Sequence, residues 1–436
     1  MSSARETAPG LLRLALPAMV SQLGLVAMGV VDVMLAGSLG ATAIAAVGLG
    51  HLWGWGTFMI VIGTTAGLDP FLTQAFGARD PKAVGRAMAH GAGLLGLLTI
   101  PVVLIQPMAG PVLLAFGQPP EVVEGATAFV HALAWGIPPL VAFGLVRQML
   151  QADGRMTEAT VVIFAGNVVN FVLAWALSQG RLGLPDLGLG GIGTASATAR
   201  WVMALALIVI ARRPLGEAAI PWALAFDFRA VARLATTALP VGFQIGLEVW
   251  AFNAAALIAG QLGAHAGAAN TVAINAASAT FMIPLGLSMA AATRVGNAVG
   301  AGLPWRHIAK AALGLTVLVQ VPSTLLFALG PTLVAGAFTD DPGVLALAAT
   351  VLPVAGAFQL FDGLQVVMFG ILRGRGDTRL PSLANVVGYW FVGLPIAAYL
   401  SHPDRLGLIG VWIALSLALV LVTVLLGARL ATAHRR

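Results

Sequence analysis

Four acids stand inside stretches that are otherwise apolar enough to cross a membrane: Asp32, Asp69, Glu248 and Asp362. An ionised carboxylate at bilayer depth costs roughly 2.5–3.5 kcal/mol even on lenient insertion scales, so such residues are rarely accidental. Their usual tasks are to bind a cation, carry a proton or pair with a buried base. Asp32 lies near the far end of PAMVSQLGLVAMGVVDVMLAGSLG. Glu248 lies about two turns past Pro240, with Gln244 one turn earlier on the same helix face. Asp362 lies in FQLFDGLQVVMFG, with Phe358 one turn before it and Gln365 three residues after. Neither Glu248 nor Asp362 has a basic residue at helical spacing, which favours a shared polar pocket over mere hydrogen-bonded packing between helices. Asp69, in GLDPFLTQAFGARD, reads as a helix-end residue at the membrane interface.

Further polar groups accompany these acids. GNVVNFVLAWA places Asn167 and Asn170 three residues apart on one helix face, and GIGTASATARW carries Thr198 and Arg200. The Gly/Ser/Thr run there reads as close helix packing. Arg200 needs a partner, either Asp32 or a carbonyl. Other chemistries find little support. The chain has no Cys, which excludes disulfides, thiol catalysis and cysteine–zinc sites. Its seven His are scattered, mostly near segment ends, without metal-ligand spacing. There is no G-x-x-x-x-G-K-[ST] loop to hold ATP phosphates. We therefore expect neither an enzyme nor a protein with a bound cofactor.

The elements that must carry these residues are membrane spans. Of 436 residues 59% are hydrophobic and only 9% charged, with mean hydropathy +0.93. A soluble domain carries about 25% charged residues. With about 20 apolar residues needed per crossing, the chain yields about twelve spans, among them Ala46–Phe71, Val122–Leu150 and Pro381–Leu400. The basic balance, +6 with a pI near 10.9, could suggest nucleic acid. But every Lys and Arg except Arg181, Arg200 and Arg405 falls at the termini or the even-numbered joints, so the charge is an orientation signal that puts both termini in the cytoplasm. We accordingly expect Cys introduced at Lys82 and Lys310 to react with an impermeant thiol reagent only from the cytoplasmic side, and Cys at Asp341 and Asp404 only from outside. Labelling from the opposite sides would reverse the topology.

The spans repeat. Pro17 pairs with Pro240 at one constant offset, as do Gly40 with Gly263, Gly63 with Gly286, Gly77 with Gly300 and Pro81 with Pro304. QMLQADGR answers GILRGRGD at an offset one residue shorter. Two copies of six spans, an even number, start on the same side. The expected fold class is an all-α integral membrane protein of twelve transmembrane helices, in two six-helix lobes related by a pseudo-two-fold along the membrane normal. The lobes are expected at 1–212 and 231–436, with a cytoplasmic linker at 213–230. The acids are not copied: Asp32 maps to Ala255 and Glu248 to Leu25. A salt bridge required by the scaffold would more naturally recur, so the asymmetry favours function.

Over nearly its whole length the chain resembles the multidrug and toxic compound extrusion (MATE) family, in its NorM-like branch. The resemblance is carried by VDVMLAGSLGATAIAAVGLG, LDPFLTQAFGA, GNVVNFVLAWALSQGRLGLPDLGLGGIGTASATARW, LPVGFQIGLEVWAFN, IPLGLSMAAATRVGNAVGAG and LFDGLQVVMFGILRGRGDTR. It implies export of amphipathic organic cations across the inner (plasma) membrane in exchange for Na⁺ or H⁺, by a monomer that binds no nucleic acid. It also implies that Asp32 is the family's first-helix acid, with Asn170 and Thr198 beside it. Glu248 and Asp362 match the cation-coupling acids of the second lobe, where Na⁺ could bind. Asn167, Gln244, Phe358 and Gln365 join the expected polar network and substrate cleft. One departure stands out: Ala174 occupies a position where proton-coupled DinF-like members carry a second Asp. The alternative function, a lipid-linked oligosaccharide flippase of related architecture, would call for a basic cleft for pyrophosphate, whereas the charges inside these spans are mainly acidic.

Overall fold

A computed structural model describes residues 4–402 and 404–433, with side chains from Thr7 onward; Arg435 and Arg436, used above for sidedness, lie outside the described residues, as does the side chain of Arg5. Among the described residues eighteen α-helices run in order. They are α1 Ala4–Gly37, α2 Ala41–Ala66, α3 Asp69–Gly77, α4 Pro81–Ile105, α5 Ala109–Ala115, α6 Pro120–Ala134, α7 Ile137–Ala152, α8 Thr157–Leu177 and α9 Gly188–Ile210. Then follow α10 Arg212–Ala218, α11 Phe228–Gln261, α12 Ala264–Gly300, α13 Arg306–Leu329, α14 Pro331–Gly336, α15 Pro342–Gly374, α16 Arg379–Val386, α17 Leu394–Leu400 and α18 Gly407–Thr432. Among the described residues eleven stretches are long and apolar enough to cross a bilayer. Counted as one span, α6 and α7, bent by 50° where Trp135 and Gly136 separate them, make a twelfth.

The repeat is written in the backbone as well as in the sequence. Gly40 and Gly263 cap the N-termini of α2 and α12 at φ 114° and 112°. Gly154 and Gly376, ending α7 and α15, sit at φ 82° and 88°. These are left-handed conformations that a Cβ disfavours, so both copies keep Gly at the same joints.

The chain forms two compact units, Val20–Gly242 and the rest, made of the described residues up to Met19 together with those from Phe243. The boundaries differ from the expected division at 212 and 231, because they fall inside the long helices α1 and α11. Leu11, Ala15 and Met19 of α1 pack with Leu287, Ala290 and Ala291 of α12. Val231, Leu234 and Ala238 of α11 pack with Leu68, Leu72 and Leu145. Within the stretch 213–230, α10 and the 3₁₀ turn Trp222–Phe226 lie against α4.

Helix breaks position the polar residues. The expected span Ala46–Phe71 is interrupted at Gly67–Leu68, so that Asp69 opens a new helix. At this break a Cβ on Gly67 would meet the Ala238 Cα at 2.5 Å and its carbonyl oxygen at 2.6 Å. Backbone cannot yield as a side-chain tip does. Gly67→Ala is therefore expected to destabilise the protein by about 1–3 kcal/mol, the usual cost of overpacking. Gly96→Ala, where nothing lies within 4 Å, is expected to leave thermal melting unchanged or slightly raised.

Candidate functional site

In the unit Val20–Gly242 the chemistry gathers around Asp32, which is 1% exposed. Ser196 Oγ of α9 lies 2.8 and 2.9 Å from the two carboxylate oxygens and donates to them. Asn170 Nδ2 of α8 donates to Asp32 Oδ1 at 3.3 Å and to Ser196 Oγ at 2.7 Å. His51 Nε2 of α2 lies 3.5 Å from Oδ2. Small residues make this convergence possible. A Cβ on Gly193, one turn before Ser196, would reach within 2.5 Å of the Phe129 carbonyl oxygen, so α9 and α6 pack backbone to backbone.

Several expected members lie elsewhere. Thr198 does not touch Asp32; its hydroxyl donates to the Thr194 carbonyl of its own helix at 2.8 Å. Residues two apart on a helix do not share a face, so Ser196 and Thr198 cannot both point at the acid. Asn167 Nδ2 donates at 2.9 Å to the carbonyls of Gly24 and Ile163, tying α8 to α1 rather than to the carboxylate. Arg200 makes neither expected contact. Its guanidinium carbon sits 5.7 Å from the Phe58 ring centre, its buried Nη1 has no hydrogen-bond partner, and its charge acts on Asp32 only through space. Asp69 does stand at a helix end, but not an exposed one. It is fully buried at the start of α3, where Gln148 Nε2 and, at 3.3 Å, Gln151 Nε2 donate to its Oδ1. The neighbouring Arg147 donates to Gln22 Oε1 at 2.8 Å. This polar cluster joins α1, α3 and α7.

The Ser196–Thr198 distinction can be measured. A hydrogen bond to a charged group contributes about 1.5–3 kcal/mol, so Ser196→Ala is expected to lower transport about tenfold or more. Thr198→Ala should leave it near wild type. The opposite ranking would restore Thr198 as the acid's neighbour.

In the other unit, Glu248 of α11 is partly buried and Asp362 of α15 is 7% exposed. Two amides donate to Glu248 Oε2: Asn385 Nδ2 at 3.2 Å and Gln244 Nε2 at 3.4 Å. That leaves oxygens with no hydrogen bond, namely Gln244 Oε1, Asn385 Oδ1, Asp362 Oδ1 and the hydroxyl of Tyr389. Glu248 and Asp362 are close enough for their charges to interact, and Tyr389 lies within the field of both. Gln365 is buried on α15, its Oε1 also without a partner.

A π-helical turn, Val387–Gly393, interrupts the expected span Pro381–Leu400. Such turns insert an extra residue and are frequent at functional sites. Here Tyr389 is buried against Phe252, 5.5 Å between ring centres, while the next residue, Trp390, donates from Nε1 to the Leu247 carbonyl at 3.0 Å. Phe358, expected in a substrate cleft, is instead enclosed. It is 2% exposed and packs edge-on against Phe252 and Trp412 at 6.0 and 5.4 Å. Its contact is with the aromatic cluster that fixes Tyr389. A further network escaped the sequence reading altogether: Thr280 and Ser323 hydroxyls donate to Gln359 Oε1 at 2.7 and 2.6 Å, and Gln320 Nε2 donates to the Gln359 carbonyl. It knits α12, α13 and α15.

Ser196, His51, Asn385 and Tyr389 are the contacts that sequence reasoning missed. In the sequence Ser196 reads as one more packing residue of a Gly/Ser/Thr run, and His51 has no partner at ligand spacing. The available signal for Ser196 was its place one turn before Arg200, on the same face of α9.

Comparison with known proteins agrees with this architecture. The family model MatE matches residues 17–176 and 240–399, two copies in the register of the repeat. "Probable multidrug resistance protein NorM" of Xanthomonas axonopodis pv. citri is 34% identical over 429 residues, covering 97% of this chain and 93% of the relative. "Multidrug resistance protein NorM" of Burkholderia vietnamiensis is 36% identical over 430 residues, covering 96% and 92%. Among solved structures, that of a eukaryotic MATE transporter superposes with a TM-score of 0.88 at 22% identity, covering 99% of this chain and 96% of that one. The twofold match of the family model and the near full-length identity to the NorM proteins lead to one conclusion: the chain belongs to the MATE family of membrane transport proteins, in its NorM-like branch.

Proposed function

We propose that this protein is a secondary multidrug antiporter that exports amphipathic organic cations in exchange for Na⁺ or H⁺, with both termini in the cytoplasm. The observation that carries the reading is the oxygen set around Glu248 and Asp362: two carboxylates, two amide oxygens and a phenol, with the amide donors already turned to Glu248. Hard cations take carboxylate and carbonyl oxygens. Na⁺ would bind there as a transported ion and leave again; a proton would need only the carboxylates. Asp32 supplies a separate acid in the unit Val20–Gly242. The driving force is roughly 2.3 kcal/mol per charge per 100 mV of membrane potential, added to the ion gradient.

Expression in a drug-hypersensitive bacterial host tests the reading. Ethidium accumulation is expected to fall, and to recover when the ion gradients are collapsed with a protonophore and Na⁺-free medium. Accumulation equal to that of the empty host at normal protein abundance would refute it.

A further inference from the structure

Asp32 is sealed. It is 1% exposed, and the side chains that donate to it, Ser196 and Asn170, are 1% and 0% exposed. A carboxyl so enclosed exchanges a proton fastest through a neighbour that can take one up and give it away. A titratable side chain also approaches it. His51 Nε2, itself buried and without a hydrogen-bond partner, lies 3.5 Å from Asp32 Oδ2. The imidazole side chain keeps 19% exposure against 2% for that of Asp32, so it reaches the acid while part of its own surface is left uncovered by the chain. Its ring is held by the edge of Phe129, 5.1 Å between centres. The charged groups that face the ring are Asp32 from α1 and Arg200 from α9; α6 offers Phe129, and α8 brings the neutral Asn170 to the same carboxylate. Arg200 keeps its proton and acts only by its field.

We propose that His51 is the proton-exchange partner of Asp32. A proton taken up by the imidazole makes it imidazolium. The Nε2–H bond then breaks as the Oδ2–H bond forms, leaving a neutral imidazole and a carboxylic acid. One proton moves and no electron does; the reverse sequence empties the acid. The use of this step in transport rests on the antiport reading above, but the step itself can be read without transport.

The experiment is a pH jump on the full-length protein in detergent, followed by infrared spectroscopy. The carboxylic-acid C=O band of Asp32 is identified by its loss in Asp32→Asn. In His51→Gln and His51→Asn the band is expected to appear about tenfold more slowly or worse, since a missing general acid–base group costs 10²–10⁴ in rate at full effect. Equal rates in the variants and the wild type would overturn the proposal. A measurement on the unsubstituted chain guards against misfolded variants: the ¹⁵N signal of His51 Nε2 should titrate in step with the Asp32 band and lose that step in Asp32→Asn. Independent titrations would overturn the proposal. If wild-type protein moves no ethidium while the band slows in His51→Gln, the antiport reading fails and the proton-exchange pair stands.

Discussion

Asp32→Asn is expected to abolish drug export, lowering it about 10²-fold or more, the range seen when a proton-carrying group is removed. The substitution keeps the size and most of the shape of the side chain. Its amide oxygen can still accept from Ser196, so the helices α1, α8 and α9 should stay packed. What disappears is the charge, and with it the ability to take up and release a proton. The checks are ethidium accumulation in cells, protein abundance in the membrane, and thermal melting of the purified variant. Full export at wild-type abundance would remove Asp32 from the coupling machinery.

The second large effect concerns Glu248 and Asp362 as one unit. Glu248→Gln and Asp362→Asn are each expected to damage export severely, and the double variant to be little worse than the worse single. Independent sites add their effects, whereas residues of one site do not. The geometry gives the reason. Gln244 and Asn385 both turn their donors to Glu248, while their own oxygens, and one oxygen of Asp362, are left without hydrogen bonds. Removing either carboxylate leaves a donor set too weak to hold a cation between them. Full additivity of the two losses would split the pair into separate sites. Efflux that persists in both single variants under either gradient would refute the assignment.

The spans and the repeat were legible in the sequence because both are matters of composition and register. Twenty-residue apolar runs mark helices in a bilayer, and Gly40 and Gly263 mark the same backbone turn twice. The unit boundaries were not legible. That Leu11 and Ala15 pack on α12 is decided by tertiary contact, and no local signal announces it. Helix breaks were only partly visible. Gly67–Leu68 and the π-helical turn at Val387–Gly393 lie within apolar runs that read as unbroken. At the sites, the acids stood out because charge inside a span is costly. Their neutral partners did not. Ser196 is one small residue in a run of small residues, and only the rotation of α9 separates it from Thr198. Phe358 was placed by proximity in sequence to Asp362, yet a residue one turn away on the same helix was free to turn into the aromatic packing of Phe252 and Trp412. The burial of Asp69 was not legible because it depends on Gln148 and Gln151, far along the chain.

The central claim, export of an organic cation driven by an ion taken up at the carboxylates, is tested most directly by an ion swap. Purified protein in liposomes loaded with ethidium is given a Na⁺ gradient at equal pH, or a pH gradient without Na⁺, at fixed membrane potential. At least one gradient is expected to drive ethidium across in the wild type, and that movement should vanish in Glu248→Gln and in Asp362→Asn. Ethidium movement that ignores both gradients, or that proceeds unchanged in both variants, would contradict the account.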